Sequence, residues 1–164
     1  MPVRMFVNEL IVDRQTRAPV LILSDRAGEL MLPICIGLME ASAIATVRDG
    51  LSFPRPLTHD LFCQMFERLG ATLDSVEITE IRDTTFHALL RFRVPGSQEI
   101  QHLDSRPSDA IAIALRFEAP IWVREEVLAS AGVRKQAESS EEQASSDGCV
   151  LEDLEPEDFG KYKM

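Results

Sequence analysis

No lysine occurs in the first 133 residues: all thirteen bases there are arginines, and the first lysine is Lys135. This excludes a catalytic lysine from that part of the chain, and with it Schiff-base chemistry and the carboxylate-plus-lysine arrangement of many restriction-type nucleases. Cysteine is sparse too. Cys35, Cys63 and Cys149 are odd in number and have no CxxC or Cys/His ligand spacing. Two of them sit in apolar runs, where a thiol packs as a small hydrophobe, so a reducing compartment is expected. Aromatics make up 6% against 45% hydrophobic residues, which implies a core of Val, Ile, Leu, Ala and Met and not a disordered or disulfide-stapled chain. No apolar stretch approaches bilayer-spanning length, and the opening MPVRMFVNELIVD lacks a charged segment followed by an apolar one. No membrane partner and a cytoplasmic location are the expectation. The strings GxxxxGK[ST], GxGxxG, HExxH and GxSxG are all missing, which removes the common nucleotide, dinucleotide, zinc-protease and hydrolase-elbow readings.

What is present fits one domain, since 164 residues build one substantial core but not two ordinary ones. The net charge of −10 is split evenly: residues 1–133 hold eighteen acids and thirteen bases, residues 134–164 nine acids and four bases. The body is therefore only mildly acidic. From residue 133 the text is polar and acidic, with one apolar island at Val150, Leu151, Leu154 and Phe159. It cannot bury enough surface to offset its ordering entropy. The expected organisation is a domain over 1–132 and an acidic, flexible tail over 133–164.

Within the domain, residues 3–12, 19–24 and 29–36 are Val/Ile/Leu-rich runs separated by turn material, and a three-strand meander is predicted. The Ala-rich stretch 38–48, closed by Asp49-Gly50, predicts a buried helix with a glycine C-cap. A second helix follows Thr58, with Phe62, Met65, Phe66 and Leu69 recurring at helical spacing as its core face. Three further strand-like runs lead to a helix opened by Pro107, with Asp104, Ser105 or Arg106 as its cap, then a short strand and a last helix. A shift of 69 residues lays Glu40-Ala41-Ser42-Ala43-Ile44-Ala45 on Asp109-Ala110-Ile111-Ala112-Ile113-Ala114. An internal duplication would produce this, and so would the chance likeness of two Ala-rich helices. The fold class expected is α+β, a duplicated β-rich unit of mainly antiparallel strands packed against helices.

Unusual polar text falls in three places. Arg55, Thr58, His59 and Asp60 cluster at a helix start stiffened by Pro54 and Pro56; free N–H groups and a positive dipole end there can receive a phosphate. Thr58 and Asp60 are equally what a plain capped helix wants, so His59 and Arg55 carry the signal. Asp104, Ser105, Arg106, Ser108 and Asp109 crowd a second helix start, where Arg106 either pairs locally with Asp109 or is free to grip a phosphate bidentately. Glu40 stands on the apolar stripe of Ile36, Ile44 and Val47, and a buried carboxylate requires an arginine, a metal or another chain as partner. Together His59 and the carboxylates Glu40, Asp60, Asp104 and Asp109 could compose a site for Mg²⁺ or Mn²⁺. His87 and His102 lie in strand-like text and read as surface or satisfied sheet residues.

The strings LPICIG…EASAIA, PRPLTHDL, TTFHALLRF and DSRPSDAIAIALR…APIWV, in this order, resemble the bifunctional nuclease domain family over roughly residues 3–131. The resemblance implies a duplicated α+β fold, self-association into homo-oligomers, and degradation of both DNA and RNA. It matches the family's characteristic polar positions at Glu40, Pro54, Arg55, Pro56, Thr58, His59, Asp60, Asp104, Arg106, Pro107, Ser108 and Asp109. One departure is visible: an Asp-Gly turn is usual before the aromatic strand, and this chain has Asp83-Thr84, which is expected to change the turn type.

The leading reading is phosphodiester hydrolysis. Glu40, Asp60, Asp104 or Asp109 would hold a divalent ion, with His59, Asp60, Glu40 and Asp109 as the catalytic set. Arg55, Thr58, Arg106 and Ser108 would contact substrate. The rival is a non-catalytic homo-oligomeric scaffold or small-ligand module. Nucleic-acid binding without cleavage is disfavoured, because the sequence has no basic stripe with interleaved aromatics.

Overall fold

The structure is a computed structural model, described here for residues 1–134; the expectations for the acidic tail lie outside them, save for its first two residues. In chain order the elements are β1 (Val3–Val12), β2 (Pro19–Ser24), β3 (Leu30–Cys35), α1 (Leu38–Arg48), α2 (Thr58–Arg68), β4 (Thr72–Arg82), β5 (Thr85–Arg93), β6 (Gln101–Ser105), α3 (Pro107–Phe117), β7 (Ile121–Val123), α4 (Glu125–Ala131) and β8 (Val133–Arg134). The strands form one mixed sheet in the order β6-β5-β4-β7-β1-β2-β3-β8. All neighbours are antiparallel except β4 and β7. The α+β class holds.

The 69-residue offset is carried by whole elements. Added to the bounds of α1 it gives those of α3, and added to the first residue of β1 it gives that of β4. In the sheet, β1-β2-β3 and β4-β5-β6 fan outward from β7 as two like halves.

One core serves both halves. Met5, Leu21, Leu23 and Leu32 from the first, and Val76, Ile78, Ala88 and Leu90 from the second, are covered by Ile44 of α1 and by Ile111 and Ala114 of α3. Each fully buried aliphatic side chain contributes roughly 1.5–3 kcal/mol. The Ala runs of α1 and α3 let the two helices pack closely over the sheet.

Three expectations need correction. The helix α1 is not buried all round: Leu38 is 56% and Met39 77% exposed in its first turn. The core face of α2 is rotated from the predicted stripe. Phe62 and Phe66 of that stripe do face the core, with Cys63 beside them and Phe66 meeting Phe92 and Phe117, whereas Met65 and Leu69 face outward with Leu61. His59 and Asp60 occupy the inward side at the start of the helix, which turns it by about one residue. Cys35, although in an apolar run, is exposed. The predicted C-cap of α1 is present, with Gly50 at φ 63° and the Leu51 N–H donating to the Thr46 carbonyl, the closing bond of a Schellman motif. Among the described residues no helix is long and apolar enough to cross a membrane.

The turn between β4 and β5 keeps its type without glycine. Arg82 pairs with Thr85, leaving a two-residue loop in which Asp83 and Thr84 have φ of 47° and 64°, the pattern of a type I′ turn. A β-branched residue in the left-handed region is strained. Thr84→Gly is therefore expected to raise stability by about 1 kcal/mol in urea denaturation; an unchanged or lower midpoint would show the turn to be unstrained.

Candidate functional site

Three helices begin with the same device, a carboxylate at the third helical position: Glu40 in α1, Asp60 in α2 and Asp109 in α3. An acid there suits the helix dipole. Here the carboxylates also link the helices to one another.

Pro107 occupies the first position of α3 and holds Arg106 extended, at φ −68° and ψ 144°, as its N-cap; a residue before proline is driven to that conformation. From this position the Arg106 guanidinium donates through Nε to Asp109 Oδ2 and through Nη1 to Glu40 Oε1, both at 2.7 Å. The second oxygen of Asp109 lies 2.9 Å from His59 Nε2. First turns of α1, α2 and α3 thus meet in a chain Glu40–Arg106–Asp109–His59. Arg106 remains 64% exposed, whereas the side chains of Glu40 and His59 are each 18% exposed. Of the two alternatives the sequence left open for Arg106, the local pair with Asp109 is formed, and the same guanidinium is the arginine that Glu40 requires.

Burial works to raise the Asp109 carboxyl, but the hydrogen bonds from Arg106 and His59 and their charges outweigh it and hold Asp109 below the ordinary carboxylate range. Arg106 is driven further up by Asp109 first and Glu40 second. With Asp109 ionised, the hydrogen of a neutral His59 sits on Nε2 and the lone pair on Nδ1. The second nitrogen of a histidine is commonly oriented by a carboxylate in this way.

Asp60 belongs to a neighbouring pair. Its Oδ2 accepts from the Leu57 N–H at 2.9 Å and its Oδ1 from Arg116 Nε at 2.6 Å. The helix is capped by Asp60 on the backbone of Leu57, so Thr58 is not the cap that the sequence offered. Arg116, 7% exposed, donates Nη1 to the carbonyls of Ala43 and Ala112, and its Nη2 has no hydrogen-bond partner among the described residues. This one side chain ties α2 to α1 and α3 and so sets the turn that presents His59. Burial again works to raise the Asp60 carboxyl, and Arg116 and the Leu57 N–H outweigh it, leaving it lowered. Burial pushes the nearby Cys63 thiol up to about 11, which leaves it protonated and unreactive.

Of the residues singled out from sequence, Glu40, His59, Arg106 and Asp109 come together and Asp60 lies next to them. Arg55, Thr58 and Asp104 are exposed, and the side chains of Arg55 and Asp104 make no hydrogen bond or ion pair among the described residues; Ser108 is buried in the first turn of α3. Ser105 does not cap α3, its hydroxyl donating to the Arg106 carbonyl. The four carboxylates read as metal ligands do not assemble: two arginines occupy Glu40, Asp60 and Asp109, and Asp104 stands apart on β6. No three His, Cys, Asp or Glu side chains among the described residues form a metal-binding group, so the set as arranged does not fit Mg²⁺ or Mn²⁺. His87 and His102 lie on β5 and β6 outside the cluster, as read. Sequence reasoning missed Arg116, although an arginine inside the apolar run AIAIALRF was its signal. It also missed Gly37, where any Cβ would collide with the Glu40 carboxylate.

The profile of the bifunctional nuclease domain matches residues 21–136. An uncharacterized protein of Mycobacterium tuberculosis is 42% identical over 151 residues, covering 92% of this chain and 87% of its own length. A protein of Oryza sativa subsp. indica named Bifunctional nuclease 1 is 31% identical over 73% of this chain. Its namesake in Arabidopsis thaliana is 29% identical over 82%. This chain spans 37% and 42% of those two plant proteins.

The Asp60–Arg116 pair yields a pH-dependent expectation. A carboxyl lowered in the fold contributes stability that is fully present above its unfolded value of roughly 3.9 and is lost as pH falls through the folded one. Arg116→Met is expected to cost about 3 kcal/mol at pH 7, because it leaves Asp60 without its counter-charge. That deficit should shrink as acid protonates Asp60, read as converging denaturation midpoints; a deficit constant from pH 7 to pH 3 would assign Arg116 to packing alone.

Proposed function

The chain belongs to the bifunctional nuclease domain family, and on that premise we propose that it hydrolyses phosphodiester bonds of DNA, RNA or both at the His59–Asp109 pair. The supporting observation is the 2.9 Å contact between His59 Nε2 and Asp109 Oδ1 beside an exposed arginine. His59, held by Asp109, has Nδ1 to accept a proton from the attacking water or hydroxyl and then return one to the leaving oxygen, the work of a general base and acid. The Nη2 of Arg106 has no partner among the described residues, and it and exposed Arg55 meet the charge that builds on the phosphoryl oxygens. The N-termini of three helices add their positive ends to the same place. Glu40 and Asp109 act by fixing Arg106 and His59, and Thr58 and Ser108 stand in the first turns of α2 and α3, while Asp104 stays apart on β6. The expected Mg²⁺ or Mn²⁺ has no step in this scheme, since the carboxylates meant for it face arginines, and it enters as an arm of the assay.

The purified, tagless chain is expected to nick DNA or degrade RNA, with most of the activity persisting in EDTA. His59→Ala should lose about a hundredfold or more, and Asp109→Asn should fall with it. Equal residual activity in wild type and both variants would mean a contaminating nuclease and sink the proposal; loss of activity in EDTA, restored by Mg²⁺ or Mn²⁺, would return the reaction to a metal.

A homo-oligomer in the cytoplasm completes the proposal. Leu61, Met65 and Leu69 form an outward stripe on α2, and Leu38 and Met39 of α1 are exposed too; a row of exposed large apolar side chains is what a subunit interface covers. Light scattering is expected to give a dimer or larger, and Met65→Lys with Leu61→Lys to reduce it towards monomer; a wild-type monomer would refute this part. The second reading, a non-catalytic scaffold or small-ligand module, draws on the same stripe and on the closed ion pairs within one chain. A catalytically silent oligomer would favour it.

A further inference from the structure

A groove of about 490 Å³ runs beside β1 and the turn between β2 and β3, lined among others by Arg4, Phe6, Asn8, Ser24, Asp25 and Arg26. Its size falls within the roughly 300–1,000 Å³ of small-molecule and cofactor sites. Strand alternation places it opposite the helices. Met5 and Val3 pack with the core that α1 and α3 cover, so Arg4 and Phe6 belong to the other face of the sheet. Arg4 is in register with half-buried Trp122 on β7, which puts a second aromatic on the same face. The Arg4 guanidinium lies over the Phe6 ring, 5.2 Å from its centroid, and Phe6 is 39% exposed.

Neither Arg4 nor Arg26 has a carboxylate partner among the described residues. Asp25 is turned to its own loop, its Oδ1 accepting the N–H groups of Glu29 and Leu30 at 2.9 and 3.1 Å. The lining therefore carries an excess of positive charge within a chain of net −10. Unpaired arginines beside an open ring and a free carboxamide form a particular combination. The ring and the guanidinium plane accept a stacked base, the second arginine a phosphate, and Asn8 both a donor and an acceptor on a base edge. A nucleotide unit carries a flat ring, an anion and a hydrogen-bonding edge within one residue, which matches the three together.

We infer that this groove binds one nucleotide unit of single-stranded nucleic acid, on the sheet face opposite the His59–Asp109 pair, with Phe6 and Arg4 stacking the base and Arg26 holding the phosphate. It rests on the proposed function only in sharing a polymer with it, and it needs no cleavage. A strand held here would be retained between encounters with the helix-side cluster.

The test uses the full His59→Ala chain in EDTA with a short fluorescein-labelled oligodeoxythymidylate, followed by anisotropy. Phe6→Leu is expected to weaken binding about tenfold or more. Arg4→Gln with Arg26→Gln should weaken it further and flatten the salt dependence by about 0.7 for each phosphate that is no longer neutralised. Arg48→Gln, at the end of α1, should change nothing, and a duplex of equal length should bind less well because its bases are not free to stack. Absence of binding, binding indifferent to all three groove substitutions, or a duplex held as tightly as the single strand would each overturn the inference. A chain that binds but does not cleave would keep it while removing the hydrolytic proposal; one that cleaves without binding here would do the reverse.

Discussion

The guanidinium of Arg106 is the group on which the rest of this molecule depends. It lies between Glu40 and Asp109, which the 69-residue repeat makes equivalent members of the two halves. Each half supplies a helix with an acid in its first turn, but only the second supplies an arginine before it. At the matching position of the first half stands Gly37, packed against the Glu40 carboxylate. One cation thus serves two related anions, and the halves are joined by an interaction that neither could make alone. A carboxylate 18% exposed with no counter-charge would be costly, so the join also keeps both helix starts in place.

Around that join the polar chemistry is sorted by depth. Arg116 is inside and spends its hydrogen bonds on structure, on Asp60 and on two helix carbonyls, with one nitrogen left over. Arg106 is outside and keeps part of its guanidinium for solvent or ligand. His59 lies between them, fixed from one side by Asp109 and carried on a turn that Arg116 anchors. A similar use of one acid for two bases recurs on the other face of the sheet, where Glu77 accepts from Arg124 at 2.7 Å and Arg91 at 3.3 Å. Arg124 is raised by it. The body of the chain thus neutralises much of its charge locally, and the arginines without an ion pair among the described residues, Arg4, Arg26 and Arg55 included, are those in a position to meet an anion.

Much of the fold was legible because its signals are short-range. Alternating Val, Ile and Leu marked the strands, and Asp49-Gly50 and Pro107 marked a helix end and a helix start, since caps and turn residues act within a few positions. The repeat was visible in the Ala-rich helices. Faces were less legible: Met65 and Leu69 in α2 have the spacing of a core stripe, but the polar pairs of His59 and Asp60 turn the helix so that Cys63 and Phe66 go inward. The Asp83-Thr84 turn also went against its residues, because the strands on either side fix a two-residue connection whatever occupies it.

The sequence by itself determined which chemical groups the body has to offer: one histidine, a few carboxylates and arginines at helix starts, no lysine, and the likeness to a family. Only the tertiary structure decided who partners whom. Whether Glu40 meets an arginine or a metal depends on a residue 66 positions away, and whether arginines and aromatics form a surface depends on strand order, which sets Arg4 beside Trp122. Such contacts follow from packing two halves onto one sheet, and no local rule of spacing contains them.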